Sequence, residues 1–152
     1  VIGQRVKDFT LVERLGGGGM GEVFVGEHAL VGTRAAVKVL RAELSADRAQ
    51  VERFFNEARA SSAIAHAGVV KVFDVGFMDD GRAYLVMELV KGESLAARLA
   101  RRSTLPVADA AELGRQIAGV PLRVARASNG KQNPFVARRE LFGDFAVAAA
   151  AK

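Results

Sequence analysis

Three groups of residues in this sequence could do chemistry together. The first is the run Leu15-Gly16-Gly17-Gly18-Gly19-Met20-Gly21-Glu22-Val23, which fits G-x-G-x-x-G-x-V. Glycines let backbone N–H groups come close to an anion, where side chains at the bend would block the approach. Phosphate is the ligand that suits such a loop. Alone the spacing is weak, because a flexible glycine linker has it too, and a dinucleotide fold uses it between a strand and a helix. Here the run is followed by Val23-Phe24-Val25-Gly26, which offers no helical start. A loop between two strands fits better than a dinucleotide turn.

The second and third groups are single charges. Ala36-Val37-Lys38 reads as part of a strand, and a period of two puts Ala36 and Lys38 on one face. A small residue there leaves room for a flat base, and two positions on an ammonium can reach phosphate oxygens. The plainer alternative is a solvated strand lysine. Glu57 sits beside Phe54 and Ala58 on the apolar side of a helical pattern. A carboxylate there calls for a cation, since an unpaired buried charge is costly, and Lys38 is the natural partner. The alternative is a boundary glutamate facing water.

The elements that must position these groups follow from periodicity. Residues 9–15 alternate, with Phe9, Leu11, Glu13 and Leu15 on one face and Thr10, Val12 and Arg14 on the other. Val23-Phe24-Val25 is a second strand, and residues 35–40, after the Gly32 turn, are a third. Connections this short make an antiparallel meander. Ser45 is the expected N-cap of a helix with Asp47 in its first turn. Val51, Phe54, Phe55, Ala58, Ser62 and Ala65 recur at helical spacing up to Gly68. Residues 69–75 and 83–88 are strands joined through Asp79-Asp80-Gly81. Two helices, 94–101 and 107–119, follow the linker at Gly92, the second introduced by Pro106. Beyond Gly119, Pro121, Asn129-Gly130 and Asn133-Pro134 interrupt any long helix.

Taken in order, these segments resemble the bacterial-type (Hanks) serine/threonine protein kinases from about Ile2 to Gly119. Leu15 to Val23 resembles the glycine-rich loop, and Ala35-Ala36-Val37-Lys38 resembles Val-Ala-Ile-Lys. Arg53-Phe54-Phe55-Asn56-Glu57-Ala58 resembles the family's αC segment. His66-Ala67-Gly68-Val69-Val70 resembles its His-Pro-Asn-Ile-Val turn, and Tyr84-Leu85-Val86-Met87-Glu88-Leu89-Val90 its fifth strand and hinge. Gly92-Glu93-Ser94-Leu95 resembles the start of its αD helix.

The resemblance implies an α+β fold: an N-terminal lobe over residues 9–90 with a five-stranded antiparallel sheet and one long helix. It continues through a hinge, an αD helix and a partial αE helix over 91–119, then a divergent basic tail over 120–152, expected to be disordered. It implies ATP as ligand. Leu15, Val23 and Ala36 would sandwich adenine, with Met87 as gatekeeper and backbone groups of Glu88 and Val90 bonded to the base. Gly16 to Gly21, with Gly17, Gly18, Gly19 and Met20 between, would close over the phosphates. Lys38 would hold the α- and β-phosphates, paired with Glu57, and Glu93 or Ser94 could approach the ribose. His28 and His66 would serve turns.

The resemblance also implies Mg²⁺ and a protein substrate, but the family's His-Arg-Asp and Asp-Phe-Gly elements are not in this chain. Its two histidines, His28 and His66, both fall in the ATP-binding part. Asp144-Phe145-Ala146 comes too early and lacks the glycine. The expectation is a kinase fragment inactive alone, diverging near Gly119 by truncation or a frame shift. The alternative is a pseudokinase-like ATP- or partner-binding module. Val1 in place of Met suits a fragment, or a start codon read literally.

Composition excludes other classes. There is no cysteine, so disulfides and thiolate metal sites are ruled out. No apolar run reaches the roughly 18 residues of a membrane span, and a cytoplasmic location is expected. The net charge is +5, but residues 120–152 hold six basic and two acidic residues while the rest holds sixteen and fifteen. The excess belongs to the tail and lacks stacking aromatics, so nucleic acid is not an expected partner.

Overall fold

The computed structural model describes residues 1–66 and 68–118. The 120–152 tail and the Asp144-Phe145-Ala146 triplet lie outside them. One antiparallel sheet has the order β1-β2-β3-β4-β6-β5. Its strands are β1 (Arg5–Val6), β2 (Phe9–Gly17), β3 (Gly21–His28), β4 (Arg34–Leu40), β5 (Val72–Phe77) and β6 (Ala83–Met87). Among the described residues there are four helices: α1 (Ala42–Ser45), α2 (Arg48–Ser62), α3 (Leu95–Arg102) and α4 (Val107–Ala118). Among the described residues no helix is long and apolar enough to cross a membrane.

The sheet has six strands rather than five. The sixth is the two-residue β1, too short to show a period of two. It pairs Val6 with Phe9 across a tight turn in which Lys7 has φ +53°. In β2 the expected alternation fails. Register shifts between Leu11 and Glu13, and between Arg14 and Gly16, leave Val12 and Leu15 as the extra residues of two bulges. The fifth strand begins at Val72, three residues later than expected.

The helix also starts and stops elsewhere than expected. Ser45 ends the single turn α1, and its hydroxyl accepts from Ala83 N–H at 3.1 Å. Asp47 caps α2 instead: its Oδ1 accepts from Ala49 N–H at 2.8 Å and Gln50 N–H at 3.4 Å. A carboxylate is the better partner for the orphan N–H groups and positive dipole of a helix start. The C-terminus falls at Ser62, well before Gly68. Ser94 caps α3 by accepting from Ala97 N–H at 3.0 Å.

Contacts group Val1–Arg59 and Lys71–Leu89 into one compact unit, and place Ala60–Val70 with the described residues from Val90 onward in a second. In the first unit the sheet is buried on both faces at β4, where every residue from Ala35 to Leu40 is buried. Register sorts the faces. Val37 pairs with Phe24 and Val86, and these join Val6, Leu11, Ala35, Val39, Met78 and Tyr84 in one apolar cluster. The other face carries Val23, Val25, Ala36, Lys38, Leu85 and Met87. Strand β3 lies close to its neighbours at two glycines. A Cβ on Gly21 would collide with the Val39 carbonyl, and one on Gly26 would stand 2.7 Å from Val37 Cγ2 and 3.1 Å from Phe9 Cβ.

Exchanging the two capping candidates checks this reading of α2. Asp47→Ala should lower stability by about 1 kcal/mol in urea unfolding. Ser45→Ala should act through β6, speeding exchange of the Ala83 amide and leaving the first turn of α2 unchanged.

Candidate nucleotide site

The glycine run forms the tip of a hairpin. Gly16 and Gly17 belong to β2 and Gly21 to β3, so the turn itself is Gly18-Gly19-Met20, closed by Gly18 N–H donating to Gly21 O at 2.9 Å. The cross-strand pair Arg14 Nε to Glu22 Oε1, at 2.7 Å, spans the hairpin below it. The glycines divide by cause. Gly21 is required by packing, as above, and a Cβ on Gly17 would stand 3.1 Å from Gly21 O. At Gly18 and Gly19 a Cβ would meet nothing within 4 Å, and neither has positive φ. Neither the fold's packing nor its backbone geometry demands glycine at the tip. A bare tip is what a close-approaching anion demands.

Strand pairing brings the other predicted residues together. Lys38 lies opposite Val23 on β3 and Leu85 on β6, and Ala36 lies opposite Val25 and Met87. Val23, Ala36, Lys38 and Met87 are all buried and share one face. Leu15, the extra residue of the second bulge, is half-buried. Glu88 is exposed, and its N–H donates to Lys71 O at 2.8 Å. Val90 is half-buried and belongs to the second unit, where Glu93 also lies. The Glu93 carboxylate accepts from Arg98 at 3.0 Å and Arg101 at 2.7 Å, which hold it below the usual carboxylate range.

Lys38 is 6 % exposed, and its ammonium stands 5.9 Å from the centroid of the Phe54 ring on α2. Burial pulls its pKa down from the ordinary 10.5 to about 8, and the Glu57 carboxylate opposes that shift. Glu57 is itself largely enclosed, its side chain 13 % exposed, and accepts from Arg53 Nε one turn earlier at 3.2 Å. That i,i+4 pair could have been read from the sequence. Val25, Leu85 and the Phe54 contact could not, because they depend on strand register and helix placement. The histidines serve turns: His28 Nδ1 accepts from Leu30 N–H at 3.2 Å and His66 Nδ1 from Gly68 N–H at 3.0 Å.

A buried lysine under a glycine hairpin, opposite a valine and beside a small residue, coincides with what comparison with known proteins finds. Residues 9–120 match the protein kinase domain family. The chain belongs to that family. Serine/threonine-protein kinase Pkn1 of Myxococcus xanthus is 46% identical over 97 residues, 64% of this chain and 14% of the relative. PknA of Mycobacterium tuberculosis is 40% identical over 124 residues, 79% of this chain and 28% of that protein. PrkC of Bacillus subtilis is 30% identical over 139 residues, 91% of this chain and 20% of that one. A crystal structure of the Mycobacterium tuberculosis PknI kinase domain superposes with a TM-score of 0.70 at 27% identity, covering 84% of this chain and 51% of that one. This kinase chain therefore spans a minor part of its curated relatives' length.

Two measurements follow from the site geometry. Lys38 should titrate near pH 8 by lysine side-chain NMR, and Glu57→Gln, which removes the opposing charge, should move its midpoint lower still. Because the folded pKa lies below the unfolded one, Lys38 should make stability rise with pH between about 8 and 10.5. Gly21→Ala should cost about 1–3 kcal/mol by overpacking against Val39, whereas Gly19→Ala should leave the unfolding midpoint unchanged or slightly raised.

Proposed function

We propose that this chain is the ATP-binding portion of a serine/threonine protein kinase, which in its complete form transfers the γ-phosphate of ATP to a protein hydroxyl. The observation that carries the reading is the buried Lys38 on the same sheet face as Val23, Ala36 and Met87. These apolar side chains offer adenine a slot, and Leu15 from the bulge would add to it. At Glu88 the N–H is engaged with Lys71, so the carbonyl is the backbone group that would serve the adenine amino group.

The phosphates would lie between the bare tip Gly18-Gly19 and Lys38. An ammonium screened from water interacts with phosphate oxygens far more strongly than an exposed one. Glu57 would keep Lys38 charged until the nucleotide's own charge takes over that role. Mg²⁺ accompanies the nucleotide in this family. Among the described residues no three of His, Cys, Asp and Glu converge, and no metal step is assigned to this chain's own side chains. With neither His-Arg-Asp nor Asp-Phe-Gly in the sequence, the chain should bind without transferring phosphate.

The test is titration with a fluorescent ATP analogue and Mg²⁺. Wild type should bind, Lys38→Met should lose at least tenfold in affinity, and bound nucleotide should raise the Lys38 pKa. No phosphate should reach a generic Ser/Thr substrate. Equal binding by wild type and Lys38→Met would refute the nucleotide assignment, and turnover would refute the inactivity.

A further inference from the structure

Arg41 is the residue immediately after β4, and it makes three connections at once. Its backbone N–H donates to Met20 O at 3.1 Å. Its guanidinium Nη2 donates to Gly18 O, also at 3.1 Å. Its carbonyl accepts from Ser45 N–H at 2.9 Å, which makes it the N-cap residue of α1. Two of these three bonds hold carbonyls of the three-residue hairpin tip. The side chain is exposed, so it spans 23 residues of sequence to a backbone carbonyl without being fixed there by burial.

We infer that the Arg41 guanidinium is a positioning residue for the phosphate-binding tip, holding Gly18-Gly19-Met20 in register with Lys38. This rests on the nucleotide reading given above. A tip made of glycines has a large conformational entropy to lose when it orders around a ligand. A tip already held at Gly18 and Met20 has less to lose, so part of the ordering cost is removed before binding. The tether is anchored just past the strand that carries Lys38, so tip and lysine share one rigid support. Arginine suits this role because its guanidinium presents several N–H donors in a fixed, planar arrangement. One fork of its planar head can also stay on a carbonyl while the rest is solvated. The backbone bond to Met20 would survive a substitution at position 41 that keeps the N–H. The bond to Gly18 belongs to the side chain alone, and it is the one a substitution removes.

Hydrogen exchange and analogue titration on wild type, Arg41→Ala and Arg41→Lys test this. In Arg41→Ala, amides of the 16–21 segment should exchange faster. Affinity for the fluorescent ATP analogue should fall roughly 2–10-fold, as loss of one exposed charge-assisted hydrogen bond implies. The thermal midpoint should stay within about 2 °C, since an exposed side chain is removed. Arg41→Lys, which keeps a cationic donor, should recover part of both effects. Unchanged exchange in Arg41→Ala overturns the tether, and faster exchange with unchanged affinity overturns its role in positioning. If wild type binds no analogue, the nucleotide reading has failed and the positioning role falls with it, while the exchange result still decides whether Arg41 holds the tip.

Discussion

A positive charge buried in an apolar sheet face is the constraint around which this unit is arranged. Lys38 stands among Val23, Leu85 and the ring of Phe54, where an ammonium is poorly solvated. Each of those neighbours could have been accompanied by a leucine or valine at 38 with a gain in stability. The pKa of Lys38 is lowered accordingly: burial works against the charge, and the Glu57 carboxylate on α2 offsets part of that. The helix therefore does two things over one turn, closing the core with Phe54 and Ala58 and supplying the counter-charge with Glu57. A residue that costs stability where it stands is characteristic of a site built for a ligand.

The hairpin above it shows a similar separation of duties on a smaller scale. Gly21 belongs to the architecture, since the Val39 carbonyl leaves no room for a side chain. At Gly18 and Gly19 an added Cβ would meet nothing within 4 Å among the described residues. The cross-strand pair Arg14 and Glu22 stiffens the stem, and Arg41 holds the turn. The tip is thus bare of side chains at Gly18 and Gly19, while its backbone is held at Gly18 and Met20 by Arg41.

How much of this was legible in the sequence depended on whether the signal was local. The glycine spacing, the Ala36 and Lys38 pair, the Asp79-Asp80-Gly81 turn and the helical recurrence of Val51, Phe54 and Ala58 are all short-range patterns, and each led to an element that is present. What escaped was set by pairing across the chain. A bulge moves Leu15 out of the alternation of β2 only because β3 has one residue fewer opposite it. The Ser45 hydroxyl looked like a helix cap because its partner, Ala83, lies 38 residues away. The two-residue β1 carries too little pattern to be read at all. Arg41 carried no signal, because an exposed arginine after a strand is ordinary until its contact with Gly18 is known.

The glycines of β3 have a consequence for how the strand finds its place. Gly21 faces the Val39 carbonyl and Gly26 faces Val37 and Phe9, and at both places a single extra carbon would collide. Sliding β3 by one residue along β4 would bring Met20 and Val25, or Glu22 and Glu27, to those two tight places. Both misalignments would also turn the strand's apolar positions to the wrong faces. The steric gaps therefore act as a two-point key, admitting one alignment and rejecting its nearest competitors. Correct registration opposite Val23 is in this way enforced by side chains that are not there.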